Sequence, residues 1–184
     1  MLLLLACNRA TVSTKCTSRL AVSPTTSLSY SSLGSMTDNL VFMMGEYEAL
    51  VPSDRRYAEN HLWLQEDGDA LKVGLTSYAV RLLQDVFFLD WTIDPGTEVR
   101  ARQEIGEIES SKAVSSLFAP VDGHVLEFND APLEDPSSIN TSGYDDGWLY
   151  RFRTDSTLLS PQDYLAVLEG GWEDTQRMIK GQLN

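Results

Sequence analysis

Cysteine is nearly absent from this chain of 184 residues: Cys7 and Cys16 are the only two, and both lie close to the start. Beyond them no side chain can form a disulfide, a thiolate zinc site or a cysteine nucleophile. Histidine is equally scarce, with His61 and His124 far from each other and from either cysteine, so no metal site is expected. Long hydrophobic runs are missing as well. The stretch from Leu2 to Ala6 is much shorter than the roughly 20 residues that span a bilayer, and no membrane partner is expected. Basic residues are in short supply, 14 Lys and Arg against 27 Asp and Glu for a net charge of −13. Such a chain repels phosphate backbones and anionic membrane surfaces, which excludes nucleic-acid binding, and it attracts partners with basic patches. What remains is ordinary globular material, 42% hydrophobic and 22% charged, enough for one domain with appended ends.

Residues 1–35 differ from the rest. They contain no Asp or Glu, carry Arg9, Lys15 and Arg19, and are dense in Ser and Thr, as at Thr25-Thr26-Ser27. The segment reads as a disordered leader. Either it is a transit-like sequence, which implies a mitochondrial matrix location, or translation begins at Met36, Met43 or Met44 of a bacterial cytoplasmic protein, the reading preferred here. Leu4-Leu5-Ala6-Cys7 has the look of a lipoprotein cleavage box, but no basic segment precedes it. Residues 36–56 are taken as an N-terminal extension and 57–184 as the main domain.

From residue 57 onward the chain predicts short strands and turns. Leu71, Val73 and Leu75 alternate with polar or small residues at the period of two that marks a half-buried strand. His61 to Glu66 predicts its hairpin partner, joined through Asp67-Gly68. Ser77 to Leu83 places Tyr78, Ala79, Leu82 and Leu83 at helical spacing, and the apolar run from Val86 to Trp91 predicts a buried strand ended by Asp94-Pro95-Gly96. Two strand-like segments, Gln103 to Glu109 and Ala113 to Ala119, flank Ser110, Ser111 and Lys112 and so form a hairpin with a lysine near its tip. A turn at Asp122-Gly123 leads to Val125–Phe128, and Trp148, Tyr150 and Phe152 predict a strand with an aromatic inner face. Ser160, Pro161 and Asp163 supply a helix start. Gly170-Gly171 is expected to break that helix, with Trp172, Gln176, Ile179 and Leu183 on one side of a second one.

Little here points to enzymatic chemistry, and no catalytic residue is assigned. The glycine pairs lack the strand-to-helix context of a phosphate loop. The acidic pairs Glu134-Asp135 and Asp145-Asp146 read as solvated turn residues, His61 as a residue packed at a strand start, and His124 as one on a strand face. Lys112 differs in kind, because a rigid turn presents its amine to a modifying enzyme.

The surrounding motifs resemble those of the glycine cleavage system H protein, a lipoyl carrier. Val73-Gly74-Leu75-Thr76-Ser77-Tyr78-Ala79 is similar to its V-G-I-T-D-Y-A, and Asp85-Val86-Phe87-Phe88-Leu89 to its D-V-V-F-V. Glu109-Ser110-Ser111-Lys112-Ala113 is similar to its E-S-V-K-A lipoylation motif. Asn129, Asn140 and Tyr144-Asp145-Asp146-Gly147-Trp148-Leu149 follow in the family's order, and the resemblance covers about residues 57 to 169. A biotin carrier has Met on both sides of its lysine, whereas Ser111 and Ala113 stand here. The lipoyl domains of 2-oxoacid dehydrogenases are shorter and lack the D-G-W strand.

The resemblance implies a mainly β fold, a lipoyl-type sandwich or flattened barrel of two sheets with short peripheral and C-terminal helices. It implies lipoate joined by an amide to Lys112, with Glu109, Ser110 and Ala113 forming the attachment motif. It also implies service to glycine decarboxylase, aminomethyltransferase and dihydrolipoamide dehydrogenase, after modification by lipoylating enzymes, in a monomeric carrier that is not itself a catalyst. Two departures stand out. The family's H-E-W reads His61-Leu62-Trp63, and the acidic residue expected after K-A-x-S is Ser116, so two carboxylates associated with the charged aminomethyl arm are missing. A cationic amine is stabilised less without them. Two alternatives follow: an H-like lipoyl donor or redox shuttle for other lipoyl enzymes, and a plain β interaction module with an unmodified Lys112. The acidic residues Glu104, Glu107 and Glu109 mark a candidate docking face.

Overall fold

The computed structural model describes residues 39–181, with side chains to residue 178. The leader reading of residues 1–35, a start at Met36, and the placement of Ile179 and Leu183 on a helix face lie outside the described residues or side chains.

The chain opens with a hairpin of β1 (Leu40–Met44) and β2 (Tyr47–Val51), followed by β3 (Arg56–Tyr57), β4 (Leu62–Asp67) and β5 (Ala70–Leu75). Helix α1 (Ser77–Leu83) leads to β6 (Val86–Trp91), β7 (Glu98–Val99), β8 (Glu104–Ser110), β9 (Val114–Phe118) and β10 (Gly123–Phe128). The short helices α2 (Asp130–Glu134) and α3 (Ser137–Thr141), strand β11 (Tyr150–Arg153) and the long helix α4 (Pro161–Gly181) complete it. Six strands form one sheet in the order β3-β4-β5-β11-β10-β7, and three form another in the order β6-β8-β9. Leu64 and Val73 from the first sheet and Leu89, Ile105 and Ile108 from the second meet in one core, each 5% exposed or less.

The mainly β architecture with a C-terminal helix is as the sequence implies, but the two sheets do not close into a barrel, because no ladder joins them among the described residues. Three further differences have physical causes. Gly170 and Gly171 do not interrupt α4, although each glycine costs a helix up to about 1 kcal/mol. Tyr164 and Leu168 before them are fully buried, and Trp172 after them packs edge-on to Phe42 at 5.6 Å, so tertiary burial outweighs the loss. Strand β6 is not buried on both faces: a bulge between Val86 and Phe88 turns Phe87 and Phe88 outward, 57% and 46% exposed. The aromatic strand starts at Tyr150, leaving Trp148 in the preceding loop, although Tyr150 and Phe152 do face the core.

Residues 36–56, read only as an extension, contain β1 and β2. Met44 pairs with Tyr47, and Gly45, with φ of 71°, turns the chain between them. The hairpin buries Phe42, Ala49 and Val51 against α1 and α4 in a second core with Tyr78, Tyr164 and Leu168. The turn after β4 falls at Gly68-Asp69, with Gly68 supplying the positive φ.

Candidate functional site

Strands β8 and β9 pair from Glu104↔Phe118 to Glu109↔Val114, leaving Ser110 to Ala113 as the connecting turn. The Ser110 amide donates to the Ala113 carbonyl at 3.1 Å. The Ser110 hydroxyl donates to the same carbonyl at 3.0 Å and accepts from the amides of Ala113 and Lys112 at 3.3 and 3.4 Å. One small buried side chain thus satisfies the polar groups of the turn from inside. The next residue is tied to a neighbouring strand, since the Ser111 amide donates to the Asp85 carbonyl at 2.9 Å. The motif's hydroxyl is a clamp on the backbone, and it leaves the Lys112 side chain with no part in any ion pair among the described residues.

Ser110→Ala should remove the clamp without emptying the turn. The expected loss is about 1 kcal/mol, the usual worth of such a bond. Urea midpoints of the native and variant proteins check it.

Behind the turn, Asn140 on α3 holds the start of β6. Its Oδ1 accepts from the Val86 amide at 3.0 Å, and its Nδ2 donates to the Val86 carbonyl at 2.9 Å. Asn129 acts similarly at the end of β10, with Nδ2 donating to the carbonyls of Asp146 and Trp148. Gly147 has no room for a side chain: a Cβ there lies 2.6 Å from the Ser138 carbonyl oxygen. Asn129, Asn140 and Gly147 therefore build the support of the hairpin and its flanking loop.

The side chain of Lys112 lines a cleft of about 350 Å³. Glu109 is half-buried in a row across the outer face of the small sheet, between Phe88 and Val114, both of which are nearly half exposed. The next row is Asp90, Glu107 and Ser116. Glu104 and Glu107 are exposed. Neither Leu62 nor Ser116 lines the Lys112 cleft: Leu62 is 3% exposed in the main core, and Ser116 is half-buried in that outer row. Cleft-lining Met44, Arg81 and Gln84 were not read as site residues in the sequence, because nothing in their local pattern says that the hairpin, α1 and α4 converge there.

Of the two histidines, His124 lies exposed on β10. His61 shares a hydrogen bond of 3.0 Å with the Tyr164 hydroxyl and packs 4.7 Å from the Tyr78 ring. Enclosure by these rings lowers its pKa to about 4 through loss of solvation. The unfolded chain takes up this proton near pH 6.5, whereas the folded chain resists it until about pH 4. The neutral imidazole's contribution is therefore complete above pH 6.5 and lost as pH falls from there to about 4, up to about 3 kcal/mol in all. Asn accepts the positive φ of 63° at this position, so His61→Asn should flatten the dependence. Unfolding by urea at neutral pH and near pH 4.5 measures the slope, whatever the variant's absolute stability.

A two-sheet β domain with a clamped, lysine-bearing turn is a scaffold that can present a modified side chain. Comparison with known proteins gives the family. The family model described as glycine cleavage H-protein matches residues 55–170. The glycine cleavage system H protein of Beutenbergia cavernae is 42% identical over 122 residues, covering 65% of this chain and 98% of that protein. That of Rubrobacter xylanophilus is 42% identical over 123 residues, covering 66% of this chain and 97% of that protein. Among solved structures, the crystal structure of a glycine cleavage system H protein from Mycobacterium marinum aligns with TM-score 0.56 at 37% identity, covering 63% of this chain and 97% of that one. The chain belongs to the glycine cleavage H-protein family. It is accordingly a lipoyl carrier of glycine cleavage, with lipoate covalently attached, and not an enzyme. It works with other components of that system, and the reading as a lipoyl donor for other enzymes is not favoured. No helix among the described residues is long and apolar enough to cross a membrane.

Proposed function

We propose that Lys112 is the residue that carries the lipoate, within a motif formed with Glu109, Ser110 and Ala113. The turn geometry supports this: the Ser110 hydroxyl and the Asp85 carbonyl fix the backbone on both sides of Lys112, while its amine stays outside the ion pairs of the described residues. A modifying enzyme then meets one backbone conformation instead of an ensemble, which lowers the ordering cost of recognition. The attached group supplies a disulfide that accepts and releases a thiol-linked cargo. The protein's own residues hold the attachment point still and set what surrounds it.

In this reading the partners are glycine decarboxylase, aminomethyltransferase and dihydrolipoamide dehydrogenase, together with the lipoylating enzymes, and the carrier is a cytoplasmic monomer. Asp90, Glu107 and Glu109 beside the exposed Phe88 and Val114 give these partners an acidic face with an apolar strip next to the turn. A basic rim on the partner is the complement, and its association should weaken with salt. Residues 57–184 act as the carrier domain and 36–56 as an extension, whose β1–β2 hairpin packs on it.

Peptide mass spectrometry of the full chain from a lipoate-supplied host tests the assignment. A lipoyl increment on the peptide containing Lys112 is expected. An increment on any other lysine, or none, overturns it. Reconstitution with the three enzymes, scored as glycine-dependent release of carbon dioxide, tests the partners.

A further inference from the structure

The hairpin of β1 and β2 lies outside the span 55–170 that the family model matches, and it carries a strand edge of its own. Met44 and Tyr47 flank its two-residue turn, the place of a hydrogen-bonded pair, so Phe42↔Ala49 and Leu40↔Val51 are the further pairs bonded across the ladder. The N–H and C=O groups of the residues between them, Val41 and Met43 on β1 and Glu48 and Leu50 on β2, then point away from the hairpin. On β2 the Leu50 carbonyl is capped, accepting from the hydroxyls of Tyr144 at 2.6 Å and Ser77 at 3.0 Å. On β1 no hydrogen bond among the described residues reaches the backbone of Val41 or Met43, and no described strand pairs with that edge. The side chains turn outward at the same positions: Val41, Met43 and Leu50 are 42%, 49% and 42% exposed, whereas Phe42 and Ala49 are buried. Phe42 meets Tyr78 at 5.8 Å and Trp172 at 5.6 Å, both edge-on, which holds the strand against the body. A fixed, open edge with exposed apolar side chains is a template for another strand.

We propose that the free edge of β1 is a strand-addition site for an extended, basic segment of an enzyme that serves the arm on Lys112, which makes the hairpin a docking element beyond the span matched to the family. The inference rests on Lys112 being the attachment point. Met44, the last residue of β1, lines the same cleft as Lys112, so a strand laid along Val41 and Met43 brings its owner alongside the lysine turn. Pairing engages the N–H and the C=O of both residues and sets side chains of the incoming strand opposite Val41 and Met43 on the exposed face. Apolar residues at alternate positions suit that face. The charge of the occupant follows from its surroundings. Residues 39–51 contain Glu46 and Glu48, both exposed, and no Lys or Arg. Arg81 sits against the Tyr47 ring, on the side of β2 that carries the buried Ala49 and Val51, and so leaves the outer face acidic. A second copy of this chain would bring a further net charge of −13 to the edge, whereas lysines or arginines flanking an apolar strand are attracted to it. The edge therefore favours a basic partner strand over its own kind.

The test uses the full-length chain after mass spectrometry has located its lipoate. A lipoyl group away from Lys112 refutes the attachment reading and takes the docking role with it, whereas the kinetic outcomes bear on the edge alone. Met43→Pro deletes an N–H that bonds nothing within the hairpin, a change that edge strands tolerate. Val41→Lys sets a like charge against a basic strand. Glycine decarboxylase, aminomethyltransferase and dihydrolipoamide dehydrogenase from the same organism are each assayed with the lipoylated carrier as the varied substrate. With one of the three enzymes both variants should raise the KM for the carrier about tenfold and leave kcat unchanged, the factor that corresponds to about 1.4 kcal/mol of lost contact. An unchanged KM with all three overturns the site, and Val41→Lys decides the matter if Met43→Pro does not fold. Amide exchange reads the mode of binding: in the complex of the native carrier with that enzyme the Val41 and Met43 amides should slow, while the Phe42 amide, already bonded to Ala49, should change little. Absence of that slowing overturns strand addition. So does protection of the two amides in the free carrier, whether by a second copy or by residues 1–38.

Discussion

Lys112→Arg should give a folded protein with no lipoyl increment at that position. Amide formation needs an amine that can lose its proton and attack an activated carboxyl group. Lysine releases its proton to a base at modest cost, whereas the guanidinium of arginine stays protonated at any pH a protein survives. The substitution preserves charge and length, so a change in behaviour reports chemistry and not electrostatics. Stability should move by no more than about 0.5 kcal/mol, because the turn is held by Ser110 and Asp85 and Lys112 takes no part in the ion pairs of the described residues. Intact mass and a thermal melt make the comparison. Unfolding of Lys112→Arg means that the lysine serves the fold, and a lipoyl increment remaining on the variant moves the attachment to another lysine. Lys72 is the instructive competitor: it is 3.9 Å from Asp67 and its Nζ lies 5.4 Å from the centre of the Trp148 ring, on a sheet and not on a turn.

The lysine turn was legible in the sequence because strand alternation on both sides leaves only a few residues between Glu109 and Ala113. The same holds for α1, whose bounds coincide with the predicted Ser77 to Leu83. The hairpin of β1 and β2 carries a comparable signal, apolar residues on either side of Gly45-Glu46, but a reading that allowed translation to begin at Met43 or Met44 divided it before it could be seen. The pair Gly170-Gly171 obeys local propensity only until Trp172 finds Phe42, a contact between residues far apart in sequence. Phe87 and Phe88 are apolar and look like core, and only the bulge after Val86 says otherwise. The turn could thus be found from local pattern, whereas the cleft beside it could not, because its walls come from three distant segments.

Asn140→Ala tests how far the support of the turn extends. The asparagine lies two elements away from the hairpin, yet it bonds both polar backbone groups of Val86, a residue 2% exposed. Val86 pairs with Ser110, and the carbonyl just before it receives the Ser111 amide. Alanine leaves a buried N–H and a buried C=O without partners, each costing about 1–3 kcal/mol, so a total loss of about 2–4 kcal/mol is expected where water reaches part of the gap. For a chain of this size that corresponds to a melting point about 5–15 °C lower. The distinguishing readout is local. Hydrogen exchange at the Val86 and Ser111 amides should quicken beyond what the global loss explains, and lipoyl attachment should slow with it, because the turn then samples conformations that the modifying enzyme does not meet in the native protein. Ser110→Ala loosens the turn without disturbing Val86, so the two variants should differ at Val86 and agree at Lys112. Unchanged protection at Ser111 in Asn140→Ala would mean that the turn is rigid on its own hydrogen bonds and that β6 does not brace it.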